Sequence, residues 1–147
     1  MPGVARNFIY GLAFISGFTV MAVEMLGGRI LAPYFGNSIY VWGSIISIFM
    51  LSLAIGYLLG GRYSLQQPSL SRFSYLFAAA AVTLLPCALF NEAIMHWVFA
   101  QIEDPRYGSL VAATLLFFIP TAILGMISPY SVRLLIQNTA SSGQTAG

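Results

Sequence analysis

The chain has 147 residues, of which 59% are hydrophobic and only 7% are charged, and its mean hydropathy is +0.84. Side chains of this kind cannot cover a soluble globule with polar surface, so the composition excludes a soluble protein and indicates that a lipid bilayer is the solvent. All six basic residues are arginines and the net charge is +2, which excludes the basic surface that nucleic-acid binding requires.

The first long apolar stretch covers about residues 8–31 and predicts a transmembrane helix that carries one carboxylate, Glu24. At 1.5 Å per residue this helix reaches roughly 36 Å, enough to cross a hydrocarbon core of about 30 Å. Pro33 and the Gly36-Asn37 pair predict its end and a short turn. A second transmembrane helix is expected at about residues 39–59.

A third span is expected at about residues 73–90, where Pro86 predicts a kink or an early end. A fourth is expected at about residues 110–136. It contains Pro120 and Pro129, which free backbone carbonyls that neighbouring helices or serines must satisfy.

The connection between the third and fourth spans contains residues 91–102, a segment too short to cross a bilayer. Glu92 and His96 share one of its faces, so it is expected to lie in the membrane interface as an amphipathic helix. The sequence thus predicts an all-α fold: an integral membrane module of four helices, with a short interfacial amphipathic helix in the third connection. Residues 1–136 would form this membrane domain, and residues 137–147 a disordered cytoplasmic tail.

Arginines predict the orientation of the module. Four of them fall on one side of the four-helix arrangement, namely Arg6, Arg62, Arg72 and Arg133. The acids Glu92, Glu103 and Asp104 fall on the other. Because positive charge is retained on the cytoplasmic side, we expect a multi-pass protein of the bacterial cytoplasmic (inner) membrane with both termini in the cytoplasm. The four arginines, Arg133 included, are interpreted as topology anchors.

Glu24 is the strongest candidate for a chemical role, because an ionisable group inside a span costs several kcal/mol unless it is paired, hydrated or protonated. Steps of three and four residues place it on a face of mostly small residues: Ala13, Gly17, Val20, Gly27 and Gly28. That face is expected to press against another helix or to line a narrow cavity. Two interpretations stay open: a proton or cation site, or a structural hydrogen bond to serines of the second span or to Ser128.

Small residues also predict where helices pack. Ser52, Gly56 and Gly60 recur at four-residue spacing in the second span and form a face on which another helix can approach closely. Together with Gly17, Gly27 and Gly28, they are the predicted helix-packing positions.

The sequence gives little support for a disulfide, a metal site or a catalytic site. Cys87 is the single cysteine, which excludes an internal disulfide and a CxxC motif and suits a small apolar filler. His96 and Glu92 lack a third metal ligand nearby, and no Ser-His-Asp arrangement or glycine-rich phosphate loop is present. We therefore expect no catalytic residue, no metal, no cofactor and no enzymatic activity in this chain.

Several stretches resemble the N-terminal membrane region of bacterial spermidine synthase-like membrane proteins. The resemblance rests on Glu24 followed by Arg29, the LAPYFG turn, residues 56–62 and the segment ILGMISPYSVRLL. In that family a transporter-like membrane domain is fused to an aminopropyltransferase-like soluble domain. Residues for that activity are not found in this chain, so the resemblance implies at most a cytoplasmic aminopropyltransferase-like partner, either cut away or encoded separately.

The leading interpretation is a polytopic membrane scaffold or anchor, or an accessory subunit of a membrane complex. It would pack through small-residue helix faces in a homo-oligomer or against other membrane subunits, with the lipid bilayer around it. The alternative is a proton- or polyamine-coupled transporter module in which Glu24 binds the proton or a cationic amine. A membrane-bound enzyme would require the separate catalytic partner.

Overall fold

A computed structural model describes the backbone of residues 3–65 and 68–145, and the side chains of residues 6–65 and 68–136. The chain is 92% helical. The described residues form five helices: α1 (Gly3–Phe35), α2 (Ile39–Ser64), α3 (Leu70–Leu89), α4 (Asn91–Gln101) and α5 (Pro105–Thr145). Four of them, α1, α2, α3 and α5, are long and apolar enough to cross a membrane. The predicted all-α, multi-pass membrane architecture is confirmed.

The helices extend beyond the predicted spans at several ends. Pro33 lies inside α1, which continues to Phe35 and ends before Gly36, whose φ of 77° turns the chain toward α2. Pro86 lies inside α3, which ends three residues later at Leu89. The tail expected from residue 137 is part of α5 as far as Thr145. Residues 146–147 lie outside the described residues.

α5 is the central helix, and it packs against each of the other four. More than half of its most apolar stretch is buried, 56%, whereas the corresponding stretch of α1 is 11% buried. α2 is its most extensive neighbour. Among the described residues, α1 and α3 make no backbone contact with each other, so α5 is the helix that holds them in one module.

The seam between α2 and α5 is built from glycines. A Cβ atom at Gly56 would collide with the Ala122 carbonyl oxygen, and one at Gly60 would come within 2.6 Å of the Met126 Cα and carbonyl oxygen. Ser52, one turn before Gly56, is fully buried, and its hydroxyl donates to the Ile48 carbonyl at 2.6 Å. The two backbones therefore touch directly, as small-residue helix pairs in membranes do.

α4 covers the end of the bundle near the α1–α2 turn. Met95 and Val98 are buried, whereas Glu92, His96 and Trp97 are exposed. The His96 ring meets the Tyr34 ring edge-on, with centroids 5.1 Å apart. The helix is thus two-faced, as its sequence predicted, and it is held to α1 by an aromatic contact.

The Cys87 side chain replaces a backbone hydrogen bond that Pro120 removes from α5. A proline at position 120 removes the N–H that would donate to the carbonyl of Leu116, four residues earlier in α5. The Cys87 thiol of α3 donates to that same oxygen at 2.7 Å, in a buried position. The side chain expected to be an apolar filler therefore also satisfies a carbonyl at the α3–α5 contact.

Cys87→Ala is expected to lower the free energy of unfolding by about 1–2 kcal/mol, because the Leu116 carbonyl loses its donor and a small cavity forms. Cys87→Ser keeps a donor and should stay close to the native stability. Unfolding by sodium dodecyl sulfate in mixed micelles, followed by tryptophan fluorescence, measures the difference.

A double-mutant cycle with Pro120→Ala isolates the cause. Alanine at 120 restores the backbone donor to Leu116, so Cys87→Ala should cost less in that background than in the native chain. An equal cost in both backgrounds would show that the thiol contributes only by filling space.

Candidate functional site

Glu24 lies on the side of α1 that faces the rest of the bundle. It is half-buried, between Val20, which is 9% exposed, and Gly27, which is buried. Gly27 sits against the Phe117 ring of α5: a Cβ there would lie 3.1 Å from the nearest ring carbon. The carboxylate is therefore carried on the α1 face that contacts α5.

Gly28 and Gly17 on the same helix have different surroundings. A Cβ at Gly28 would lie 2.7 Å from the Trp42 ring of α2, so this glycine admits the indole close to the α1–α2 turn. Trp42 is fixed by its indole N–H, which donates to the Asn37 side-chain oxygen at 2.7 Å. No atom lies within 4 Å of a Cβ built at Gly17, because the helix there borders a cavity.

This cavity lies between α1, α2 and α5 and has a volume of about 270 Å³; its α1 lining ends at Met21, about one helical turn before Glu24. Three hydroxyl-bearing residues line it: Ser16 from α1, Tyr57 from α2 and Ser128 from α5. Its remaining lining is Ala13, Gly17, Val20, Met21, Leu53, Leu124 and Gly125. Polar groups from three helices thus converge on one intramembrane space.

A freed backbone carbonyl adds to this polarity. Pro129 cannot donate to the carbonyl of Gly125, four residues earlier in α5, and Gly125 lines the cavity. In a membrane helix, carbonyls freed by proline are satisfied by side chains, by water or by a bound group. The cavity is therefore lined by a residue whose carbonyl lacks its usual helical donor.

The Glu24 carboxylate has no hydrogen bond or ion pair among residues 6–65 and 68–136. Arg29, the nearest cation along α1, is exposed and lies about 140° around the helix. Two of the serines of the second span have other contacts: Ser52 donates to Ile48, and Ser44 accepts from the Ser109 hydroxyl at 3.0 Å.

A second polar group without a partner lies at the level of Glu24. Thr121 is 1% exposed, and its buried hydroxyl makes no hydrogen bond within the described part of the chain. The antiparallel register of α1 and α5 pairs Gly27 with Phe117 and brings Val20 and Leu124 to the same cavity. Thr121, between Phe117 and Leu124, therefore stands across from Glu24. The sequence had given no signal for this threonine.

The predicted packing face of α2 is filled inside the chain. Ser52, Gly56 and Gly60 are buried against α5, so they are not available to a helix of another subunit. The reason is steric: the glycines let the α5 backbone approach until no further helix can enter. Any association of the module must use another surface.

α2 carries a second row of small residues on its opposite side, which we call the outer α2 face: the exposed Gly43, Ser47 and Ala54, and the half-buried Gly61. Spacings of four, seven and seven residues keep them within about 40° around the helix. Gly43 and Gly61 have open space around them, with nothing within 4 Å of an added Cβ. Sequence analysis missed this row, although its spacing was visible, because the Ser52-Gly56-Gly60 row is more regular.

The topology arginines occupy one end of the antiparallel bundle. Arg6 is near the start of α1, Arg62 is in the last turn of α2, and Arg72 is in the first turn of α3. The Arg72 guanidinium lies 5.7 Å from the centre of the Tyr63 ring. Arg133, on the exposed side of α5, belongs to the same end.

Comparisons with protein-family models, with curated proteins and with solved structures find no match to this chain. The resemblance to spermidine synthase-like membrane proteins stays a prediction.

Proposed function

We propose that the chain is a four-span membrane scaffold or accessory subunit that binds another transmembrane helix through the outer α2 face. The observation that supports this proposal is the row of small residues that includes the exposed Gly43, Ser47 and Ala54. In lipid no hydrophobic force drives helices together, and small residues promote association by letting backbones approach. The face has the composition of a helix interface and is uncovered within this chain.

The partner we propose is a second copy of the chain or a helix of another membrane subunit. The proposal places the module in the bacterial cytoplasmic membrane with both termini inside, and it assigns no catalysis to the module. An aminopropyltransferase-like partner in the cytoplasm would follow from the family resemblance.

Ala54→Leu is expected to dissociate this assembly while leaving the fold intact, because the new side chain projects from the exposed face and holds the partner helix away. The loss in apparent affinity should be about tenfold or more, corresponding to about 1.4 kcal/mol. The measurement is the intact mass of complexes extracted from native membranes in mild detergent, with every co-purifying chain identified.

Ala78→Leu is the matched control. Ala78 is also exposed, but it lies on α3, away from the outer α2 face. The control should keep the native assembly. If Ala54→Leu assembles like the native chain, or if the two variants lose assembly equally, the outer α2 face is not the interface.

A second candidate, proton- or cation-coupled transport, is favoured by a different observation: the half-buried Glu24 has no partner in the described chain and lies one helical turn from a cavity whose lining includes Ser16, Tyr57 and Ser128. Intramembrane carboxylates of this kind mark ion pathways in carriers. Four spans would then form half of a dimeric carrier.

A further inference from the structure

We infer that the cavity between α1, α2 and α5 holds water and binds one small monovalent cation, with the Glu24 carboxylate above it as the counter-charge. The inference deepens the second candidate function and shares its use of Glu24. Its test measures binding in the absence of flux, so that failure of transport and failure of the site give different results.

Hydration follows from the acceptors that face the cavity. The Gly125 carbonyl has lost its helical donor to Pro129, and the Ser128 hydroxyl beside it belongs to the same lining. Leaving such a group without a partner in a membrane interior costs several kcal/mol. A volume of about 270 Å³ accommodates several water molecules, which supply the missing donors.

Pro120 provides an internal comparison. Its freed carbonyl, that of Leu116, receives the Cys87 thiol at 2.7 Å, so at that level the chain supplies its own donor. At the level of Pro129, the residue with the freed carbonyl, Gly125, lines a cavity instead. A side chain thus satisfies the carbonyl freed by Pro120, whereas the residue with the carbonyl freed by Pro129 borders a cavity that is open to a ligand.

The carboxylate stands where it can balance a bound positive charge. Side chains on a helix lean toward its N-terminus, so Glu24 extends over the turn that contains Val20 and Met21, both of which line the cavity. Thr121 lies across from Glu24 with a buried hydroxyl that makes no hydrogen bond within the described chain. The Glu24 carboxylate and the Thr121 hydroxyl are thus two polar groups at a similar depth that lack hydrogen-bond partners within the described chain.

The ligand class follows from the atoms available. The lining supplies hydroxyl-bearing residues and backbone, and Glu24 is one helical turn away on α1, so the nearby oxygen ligands suit a hard cation rather than a soft metal. A single carboxylate neutralises a single positive charge. Tyr57 is the titratable group in the cavity lining, and Arg29 on α1 is exposed. The shared chemistry is that of an alkali-metal ion or a hydronium ion.

Cysteine labelling tests hydration. In a Cys87→Ser chain reconstituted into liposomes, Gly17→Cys places a thiol at the cavity, where an added Cβ has open space. Phe18→Cys, one residue along, is the control at the same depth, because Phe18 is 67% exposed on the outer side of α1. A membrane-impermeant thiosulfonate reacts with thiolates, which form where water reaches, so Gly17→Cys should react at least about tenfold faster.

Protection from labelling tests cation binding. Saturating Na⁺ at constant ionic strength, with N-methyl-glucamine as the replacement ion, should slow labelling of Gly17→Cys if the site takes an alkali-metal ion. Lowering the pH without Na⁺ should slow it if the site takes a proton. Each rate is divided by that of the same cysteine in a Glu24→Gln chain, which corrects for the pH dependence of the thiol itself.

A measurement on the unaltered chain makes the test independent of the cysteine variants. A ligand that binds the folded state raises the unfolding temperature with concentration. The ion that is the ligand, Na⁺ or the proton, should therefore raise the unfolding temperature of the native chain more than that of the Glu24→Gln variant.

The possible labelling results distinguish a hydrated cation site from a dry cavity and from a hydrated cavity that binds no cation. Faster labelling at Gly17→Cys, with protection and stabilisation that disappear in Glu24→Gln, supports the site. Equal labelling at both positions means a dry cavity and overturns the inference. Labelling without protection by either cation, or protection that persists in Glu24→Gln, overturns the cation site. Binding without transport would remove the second candidate function and leave the site standing.

Discussion

Gly56→Ala is expected to destabilise the whole module, because the added methyl group collides with the Ala122 carbonyl oxygen at the α2–α5 seam. Backbone cannot rotate away as a side chain would, so the two helices must separate along their largest contact. We expect a loss of about 1–3 kcal/mol in the free energy of unfolding, and more for Gly56→Leu. Unfolding by sodium dodecyl sulfate in mixed micelles, followed by tryptophan fluorescence, measures this loss.

Gly11→Ala is the control for this prediction. Gly11 lies on α1 with nothing within 4 Å of an added Cβ, so the same chemical change meets no obstacle. Its stability should stay near that of the native chain. A Gly56→Ala protein as stable as Gly11→Ala would mean that the seam relaxes at little cost and that glycine is not required there.

The sequence was sufficient to predict the membrane spans because the signal is local. A run of apolar residues long enough to cross the bilayer has to be a helix, since only a helix satisfies its own backbone in lipid. The same locality limits the prediction of packing. The Ser52-Gly56-Gly60 row showed that some helix packs closely on α2, but spacing alone did not show that α5 of the same chain occupies it.

The candidate site was predictable in part for a similar reason. Glu24 stands out in any hydropathy profile, and its small-residue face follows from helical periodicity. Thr121 becomes its neighbour only through the register of α1 on α5, which depends on how Gly27 meets Phe117. The sequence shows which carbonyls the prolines free. It does not show that Cys87 donates to the Leu116 carbonyl, because the two residues are 29 positions apart.

Tyr130 illustrates the same limit at the arginine-rich end of the bundle. It lies near the end of a span, and its side chain is fully buried. The ring stacks on Phe73 with centroids 5.9 Å apart and packs on Tyr63 at 5.8 Å. Its hydroxyl accepts a hydrogen bond from the Ser69 N–H at 3.0 Å and donates to the Ser69 carbonyl at 3.3 Å. Because Ser69 is the N-cap of α3, this one residue joins the start of α3 to α5.

Tyr130→Ala is therefore expected to cost about 3–5 kcal/mol, the range for removing a buried aromatic side chain from a core. Loss of this anchor should free the N-terminal half of α3 first, because the α3–α5 contact at Cys87 and Leu116 lies near the other end of α3. Hydrogen exchange of the α3 amides in micelles should rise sharply near Phe73 and less near Cys87.

Tyr130→Phe separates the contribution of ring stacking to the free energy of unfolding from that of hydrogen bonding. Phenylalanine keeps the contacts with Phe73 and Tyr63 and removes the two hydrogen bonds to Ser69, so it should cost only about 1–2 kcal/mol. If Tyr130→Phe were as damaging as Tyr130→Ala, the hydroxyl would dominate, and α3 would be held by its N-cap rather than by aromatic packing. If exchange rose evenly along α3 in both variants, α3 would dock as one unit, and Tyr130 would not be a local anchor for its N-terminal half.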